Sequence, residues 1–223
     1  MQNCKNPTIA IIDSGIGGVS VLNQIIQKFN AGNFIYLADN LYMPYGNKTK
    51  QWLKKRVLYL IRFLREKYNV DYIIIACNTA SSSIENISDN KVFKLHFKPN
   101  ETYLTTKLTK ENLPEMDIIA DNRLANQIEN NIFSNTELNK IVKECVYKHN
   151  LKTYRRIVLG CTHFELVEDL FKKHCKTTEI ISNSFFLMSD LKFRLKKAEI
   201  NIVILLTKKC DVLEDKILKL IRS

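Results

Sequence analysis

The chain has 223 residues, 45% of them hydrophobic, and a formal net charge of +11. That length supports a proper core, as one large domain or two small ones, and no apolar run approaches the ~20 residues a membrane span needs. Residues 1–8 lack the basic start and apolar stretch of a secretory signal, so the expectation is a soluble cytoplasmic protein with no membrane partner.

In chain order, residues 8–12 form a short apolar, β-rich run that ends in Asp13-Ser14-Gly15-Ile16-Gly17-Gly18. Residues 19–29 predict a helix, 34–37 a second strand ending at Ala38-Asp39, and Met43-Pro44-Tyr45-Gly46 a loop. Within 48–67, Leu53, Val57, Leu60, Ile61 and Leu64 recur at helical spacing opposite Lys54, Lys55, Arg62 and Arg65, which predicts a surface helix with a solvated basic face. A strand over 72–75 leads to Cys77, followed by a helix over 79–87. Periodicity weakens from 89 to 131: 92–97 could be a strand, 116–120 a short one, and the polar, threonine-rich stretch 99–114 has no assignment. The pattern returns with a helix over 137–149, a strand over 157–159 running into Cys161, a helix over 164–173, a strand end at 179–182, a helical stretch 183–197, a buried strand over 202–206 and a closing helix over 211–221 with Asp211 as its N-cap. Strands alternating with helices imply α/β architecture with parallel sheets.

The charge excess is mostly lysine, spread over helical faces without a nucleic-acid-binding motif, so no nucleic-acid partner is expected. The six cysteines show no CxxC and no disulfide or zinc spacing. Cys145 follows Leu138, Ile141 and Val142 at core spacing. His96, His149 and His174 have no metal-ligand spacing, and no metal site is expected.

Two stretches carry the chemistry: Ala76-Cys77-Asn78-Thr79 and Gly160-Cys161-Thr162-His163. Each cysteine sits where a buried strand hands over to a helix start, the place where α/β folds put their sites and where backbone N–H groups favour a thiolate. Packing alone would explain one such cysteine; two in matching contexts, each followed by hydrogen-bonding side chains, suggest a ligand held between them. His163 could relay protons for Cys161, and Asp13, at another strand end, for Cys77. Asn78, Thr79 and Thr162 offer donors and acceptors to a small polar substrate. The glycine turn could instead be a nucleotide loop with Asp39 as the ribose acid, but Ser20 occupies the place of the third glycine in G-x-G-x-x-G.

The stretches IIDSGIGGVSVL, FIYLADNLYMPYGNKT, ACNTASSS and LGCTHFELVEDL, in this order, resemble the glutamate racemase family of the cofactor-independent aspartate/glutamate racemase superfamily. The likeness covers most of residues 8–88 and 155–175. It implies two pseudo-symmetric parallel-sheet α/β domains with the active site between them: residues 1–91 plus 201–223 form the first, and 92–200 a second, shortened one. It implies a two-base racemisation without pyridoxal phosphate, other cofactor or metal. Cys77 and Cys161 match the two proton carriers, Asp13 and His163 the assisting acid and base. Ser14, Tyr45, Gly46, Asn78, Thr79 and Thr162 match positions that hold the amino acid's carboxylate and ammonium. Glu129 and Glu137 are the candidates to support His163. The family's Pro-containing segment and glycine- and threonine-rich strand-loop between the cysteine turns have no recognised counterpart here. The expected reaction is interconversion of L- and D-glutamate, with D-glutamate supplying peptidoglycan. The alternatives are a racemase of aspartate or another small acidic amino acid, or a non-catalytic binding protein on the same scaffold. Dimerisation is common in that family, which leaves a homodimer open.

Overall fold

The computed structural model describes residues 6–84, 87–192, 195–196 and 199–222. The first sheet contains β1 (Thr8–Asp13), β2 (Gly32–Ala38), β3 (Tyr72–Ile75), β4 (Val92–Lys94) and β9 (Ile200–Leu206), in the order β4-β3-β1-β2-β9 and parallel throughout. The second contains β5 (Thr102–Thr105), β6 (Asp117–Ala120), β7 (Arg156–Gly160) and β8 (Glu179–Ser182), in the order β6-β5-β7-β8, also parallel. The helices are α1 (Val19–Phe29), α2 (Lys50–Tyr68), α3 (Asn78–Ser82), α4 (Lys107–Asn112), α5 (Leu124–Asn130), α6 (Asn135–Lys148), α7 (Thr162–Glu165), α8 (Glu168–His174), α9 (Ser184–Asp190) and α10 (Asp211–Arg222). Two parallel-sheet α/β domains result, as expected. No helix among the described residues is long and apolar enough to cross a membrane.

Local chemistry sets these elements. β1 and β3 are continuous apolar runs because helices cover both sheet faces. Ile9 and Ile11 face α1 and the second domain, whereas Ala10 and Ile12 face α2. On α2 the buried residues are the predicted stripe Leu53, Val57, Leu60, Ile61 and Leu64, each burial stabilising by ~1.5–3 kcal/mol. The Thr49 hydroxyl caps that helix by accepting from the Trp52 N–H, and Asn69 closes it in the left-handed region. Ser134 accepts from the Glu137 N–H to start α6. One apolar cluster spans both domains, joining Ile9, Phe34 and Val19 to Leu104, Leu159 and Phe164.

Several expectations change. β4 pairs with β3 in the first sheet and ends at Lys94, and the return strand expected over 202–206 begins at Ile200. That return strand is not buried: it lies at the sheet edge with β2 as its neighbour, and Val203 is half exposed. The stretch 164–173 is two short helices, α7 and α8. The predicted helix over 183–197 ends at Asp190, and residues 193–194 and 197–198 lie outside the described residues, as do 85–86 of the predicted helix over 79–87. Asp211 is the first residue of α10. The unassigned stretch 99–114 contains β5, a central strand of the second sheet, and α4. Asp121 links two helices: it accepts from the Arg123 and Leu124 N–H groups at the start of α5 and from Lys148 and His149 at the end of α6.

Candidate active site

The carboxyl ends of β1, β3 and β7 converge on the interface between the sheets. Parallel strands aim their last residues at one edge, and here two such edges face each other. Cys77 follows β3 and Cys161 follows β7, both buried. The two thiols lie within electrostatic range, because Cys161 is among the groups that push Cys77 up.

The glycine turn brings the domains together. At Gly17 a side chain would clash with the Thr162 hydroxyl, and its Cβ would lie 2.8 Å from His163 Nδ1, so only glycine permits this approach. Thr162 Oγ1 donates to Asp13 Oδ2 at 3.2 Å across the interface. Asn183, the residue after β8, donates from Nδ2 to Asn78 Oδ1 at 2.7 Å across the same interface. The Tyr36 hydroxyl donates to the Gly15 carbonyl at 2.7 Å and holds the turn from below.

The two cysteines have unlike surroundings. Around Cys77, burial comes first and the neighbouring Asp13 carboxylate adds to it, so the thiol is held well above its ordinary value. The Ala80 N–H and the Ser14 hydroxyl bond to it and oppose that shift. Asp13 is itself raised by burial, partly countered by His163 and by the Gly15 and Gly18 N–H groups. Around Cys161, His163 is the partner. Burial alone would depress the imidazole, but hydrogen bonds with Cys161 and Glu129 outweigh it and push it up to about 10. His163 Nε2 lies 2.9 Å from Glu129 Oε2. Burial disfavours the Glu129 carboxylate, yet the imidazolium holds its pKa below the ordinary range. Of the two candidates, Glu129 is the one that pairs with His163, whereas Glu137 lies in the first turn of α6.

Ser14, Asn78, Thr79 and Thr162 lie with the cysteines at this interface and are all buried. Tyr45 is buried in the same apolar cluster as Cys77, and its hydroxyl donates to Asp39 at 2.6 Å, in the ion pair that Asp39 forms with Arg56. Asp39 is occupied by Tyr45 and Arg56, which argues against the ribose reading. Gly46 borders a cavity of about 430 Å³ between the domains, with Pro44, Lys48, Thr106, Leu108 and Asn126. Thr79 Oγ1 lies 3.2 Å from Thr106 and 3.3 Å from Thr109, so three hydroxyls from two domains meet beside Cys77. Thr106, Thr109 and Asn183 were not among the expected site residues; the threonines fall in the stretch without periodicity, and Asn183 directly follows a recognisable strand end.

No protein-family model matches the chain. The glutamate racemase of Buchnera aphidicola subsp. Schizaphis graminum is 35% identical over 188 residues, 71% of this chain and 73% of that protein. The glutamate racemase of Clostridium perfringens strain SM101 is 32% identical over 224 residues, 88% of this chain and 86% of that one. Among solved structures, glutamate racemase isoform RacE1 from Bacillus anthracis superimposes with a TM-score of 0.78 at 20% identity, covering 98% of this chain and 95% of that one.

Proposed function

Because the chain belongs to the glutamate racemase family of amino-acid racemases, we propose that it interconverts L- and D-glutamate by moving a proton at Cα between Cys77 and Cys161. The D-glutamate formed in the cytoplasm supplies peptidoglycan assembly. The observation that carries this reading is the meeting of the two cysteine turns at one interface, each thiol with its own proton partner.

Inversion of a stereocentre by proton exchange needs a base on one face of Cα and an acid on the other. The unlike surroundings of the cysteines suit that division. Cys77, held up by burial and by Asp13, keeps its proton at neutral pH and serves as the acid. Cys161 has the His163 imidazolium as counter-charge for its thiolate, with Glu129 fixing the ring. When the thiolate removes the Cα proton, the C–H electron pair passes into the α-carboxylate. The opposite thiol then delivers its proton to the other face. The thiolate left behind is reset through its partner, Asp13 or His163, and the reverse reaction uses the same groups with their roles exchanged.

The Cα proton is very weakly acidic, so the carbanionic charge needs preorganised donors away from bulk water. Ser14, Asn78, Thr79, Thr162 and the Tyr45-Gly46 backbone hold the carboxylate and ammonium groups. A panel of L- and D-amino acids followed by circular dichroism tests the reading. Turnover of both glutamate enantiomers, to a racemic end point, is expected; turnover of aspartate without glutamate contradicts the substrate, and turnover of no amino acid contradicts the activity.

A further inference from the structure

We propose that Asn183 contacts the substrate: its side-chain carbonyl accepts a hydrogen bond from the α-ammonium of the bound amino acid, while its amide fixes Asn78 so that the Asn78 N–H groups face the α-carboxylate. The proposal rests on the amino-acid racemase reading above and adds to it a residue outside the two cysteine turns.

Asn183 is fully buried, and its backbone is pinned, since its N–H donates to the Leu159 carbonyl at 3.1 Å in the strand that leads to Cys161. Its Nδ2 donates to Asn78 Oδ1 at 2.7 Å, and Asn78 directly follows Cys77. The Asn78–Asn183 bond therefore links the segments that carry the two thiols. Among the described residues, two buried side-chain polar atoms have no hydrogen-bond partner, and both belong to this pair: Asn78 Nδ2 and Asn183 Oδ1. Native interiors rarely leave such atoms unpaired, so each orphan calls for a partner, and a bound ligand supplies one.

The two orphans differ in kind. Asn78 Nδ2 is a donor and calls for an acceptor; Asn183 Oδ1 is an acceptor and calls for a donor. A ligand that satisfies both at once presents an acceptor and a donor on neighbouring atoms, as an α-amino acid does with its carboxylate and ammonium on one carbon. A dicarboxylate without an α-donor satisfies Asn78 alone. A neutral carbonyl also suits a site that already holds Asp13 and two sulfurs, because it takes the ammonium hydrogen bond without adding a further negative charge. The ammonium thus keeps its proton, and with it the electron withdrawal that makes Cα more acidic.

The test compares the dissociation constants of D-glutamate and 2-oxoglutarate by isothermal titration calorimetry. 2-Oxoglutarate keeps both carboxylates and lacks the α-donor. The wild type is expected to prefer glutamate. Asn183→Ala should shrink that preference by about tenfold or more, the scale of one hydrogen bond to a charged group, by weakening glutamate more than 2-oxoglutarate, which loses only the orientation of Asn78. Asn183→Asp, which keeps an acceptor, should retain the preference. Asn183→Leu, close in shape and without polar atoms, gives the same readout if the alanine variant fails to fold. A wild type that prefers glutamate, with the same preference in Asn183→Ala or Asn183→Leu, overturns the role of Asn183 alone, as does equal weakening of both ligands. A wild type that binds neither ligand, or prefers 2-oxoglutarate, overturns the parent reading and this inference with it.

Discussion

Replacing Glu129 by glutamine tests the electrostatic design of the Cys161 side. His163 rises from 6.5 to about 10 despite burial that acts against it. A shift of that size corresponds to about 5 kcal/mol in favour of the imidazolium, at 1.36 kcal/mol per unit, shared between Glu129 and Cys161. Glu129→Gln keeps the shape and a hydrogen-bond acceptor but removes the charge. A charge-assisted bond exceeds a neutral one by roughly 1–2 kcal/mol, so the imidazolium should deprotonate about one unit lower. Because the folded pKa lies above the unfolded one, the stabilisation is fully present below pH 6.5 and is lost as pH rises from there through about 10. The assays are the His163 ring titration by NMR and kcat/KM for glutamate from pH 6 to 10. The variant should lose most activity on the alkaline side, with its alkaline limb moved to lower pH. Coincident titration curves and pH profiles for the wild type and Glu129→Gln would refute the reasoning.

Other outcomes follow from single contacts. Gly17→Ala drives a methyl group into Thr162 and against His163; it should raise KM and cut kcat by at least about tenfold through misplacement, while the folded far-UV spectrum is retained. Arg56→Ala leaves Asp39 buried without its ion-pair partner, and urea unfolding should show a loss of about 3–5 kcal/mol. Glu165, which accepts from the Ser184 hydroxyl at 2.6 Å, is pushed by burial up to about 8. Its folded form holds a proton that the unfolded chain has lost, so stability should fall as pH rises from 4.5 to about 8. Glu165→Gln should flatten that slope in thermal melts taken between those pH values.

The parts of the fold with strong pattern were legible in the sequence. The strands before Cys77 and Cys161 are β-branched runs that only burial on both faces explains, and the α2 stripe is a plain helical repeat. β5 was not legible, because Thr102, Thr105 and Thr106 break the apolar run; tertiary position, between β6 and β7, makes it a central strand. Thr105 offsets its polarity by donating to the Gly160 carbonyl at 2.6 Å. β9 reads as buried from its aliphatic run, yet an edge strand with one neighbour leaves Val203 half exposed. At the site, the cysteines, Asp13 and His163 announce themselves by local context. Glu129 does not, because its pairing with His163 spans 34 positions and depends on how α5 docks on α7. Tyr45 shows another limit of local context, which does not reveal that Asp39 and Arg56 engage its hydroxyl in a buried ion-pair network.

The proton path between the two sulfurs is tested most directly by solvent deuterium at Cα, measured by NMR or mass spectrometry during turnover of each glutamate enantiomer in D₂O. The product enantiomer should carry deuterium at Cα from the first turnover. Cys77→Ser and Cys161→Ser should each lower both inversion and isotope uptake on the order of 10²–10⁴-fold, the scale of a lost acid or base. Inversion that keeps the original hydrogen, or isotope uptake undiminished in both variants, would contradict proton transfer between Cys77 and Cys161.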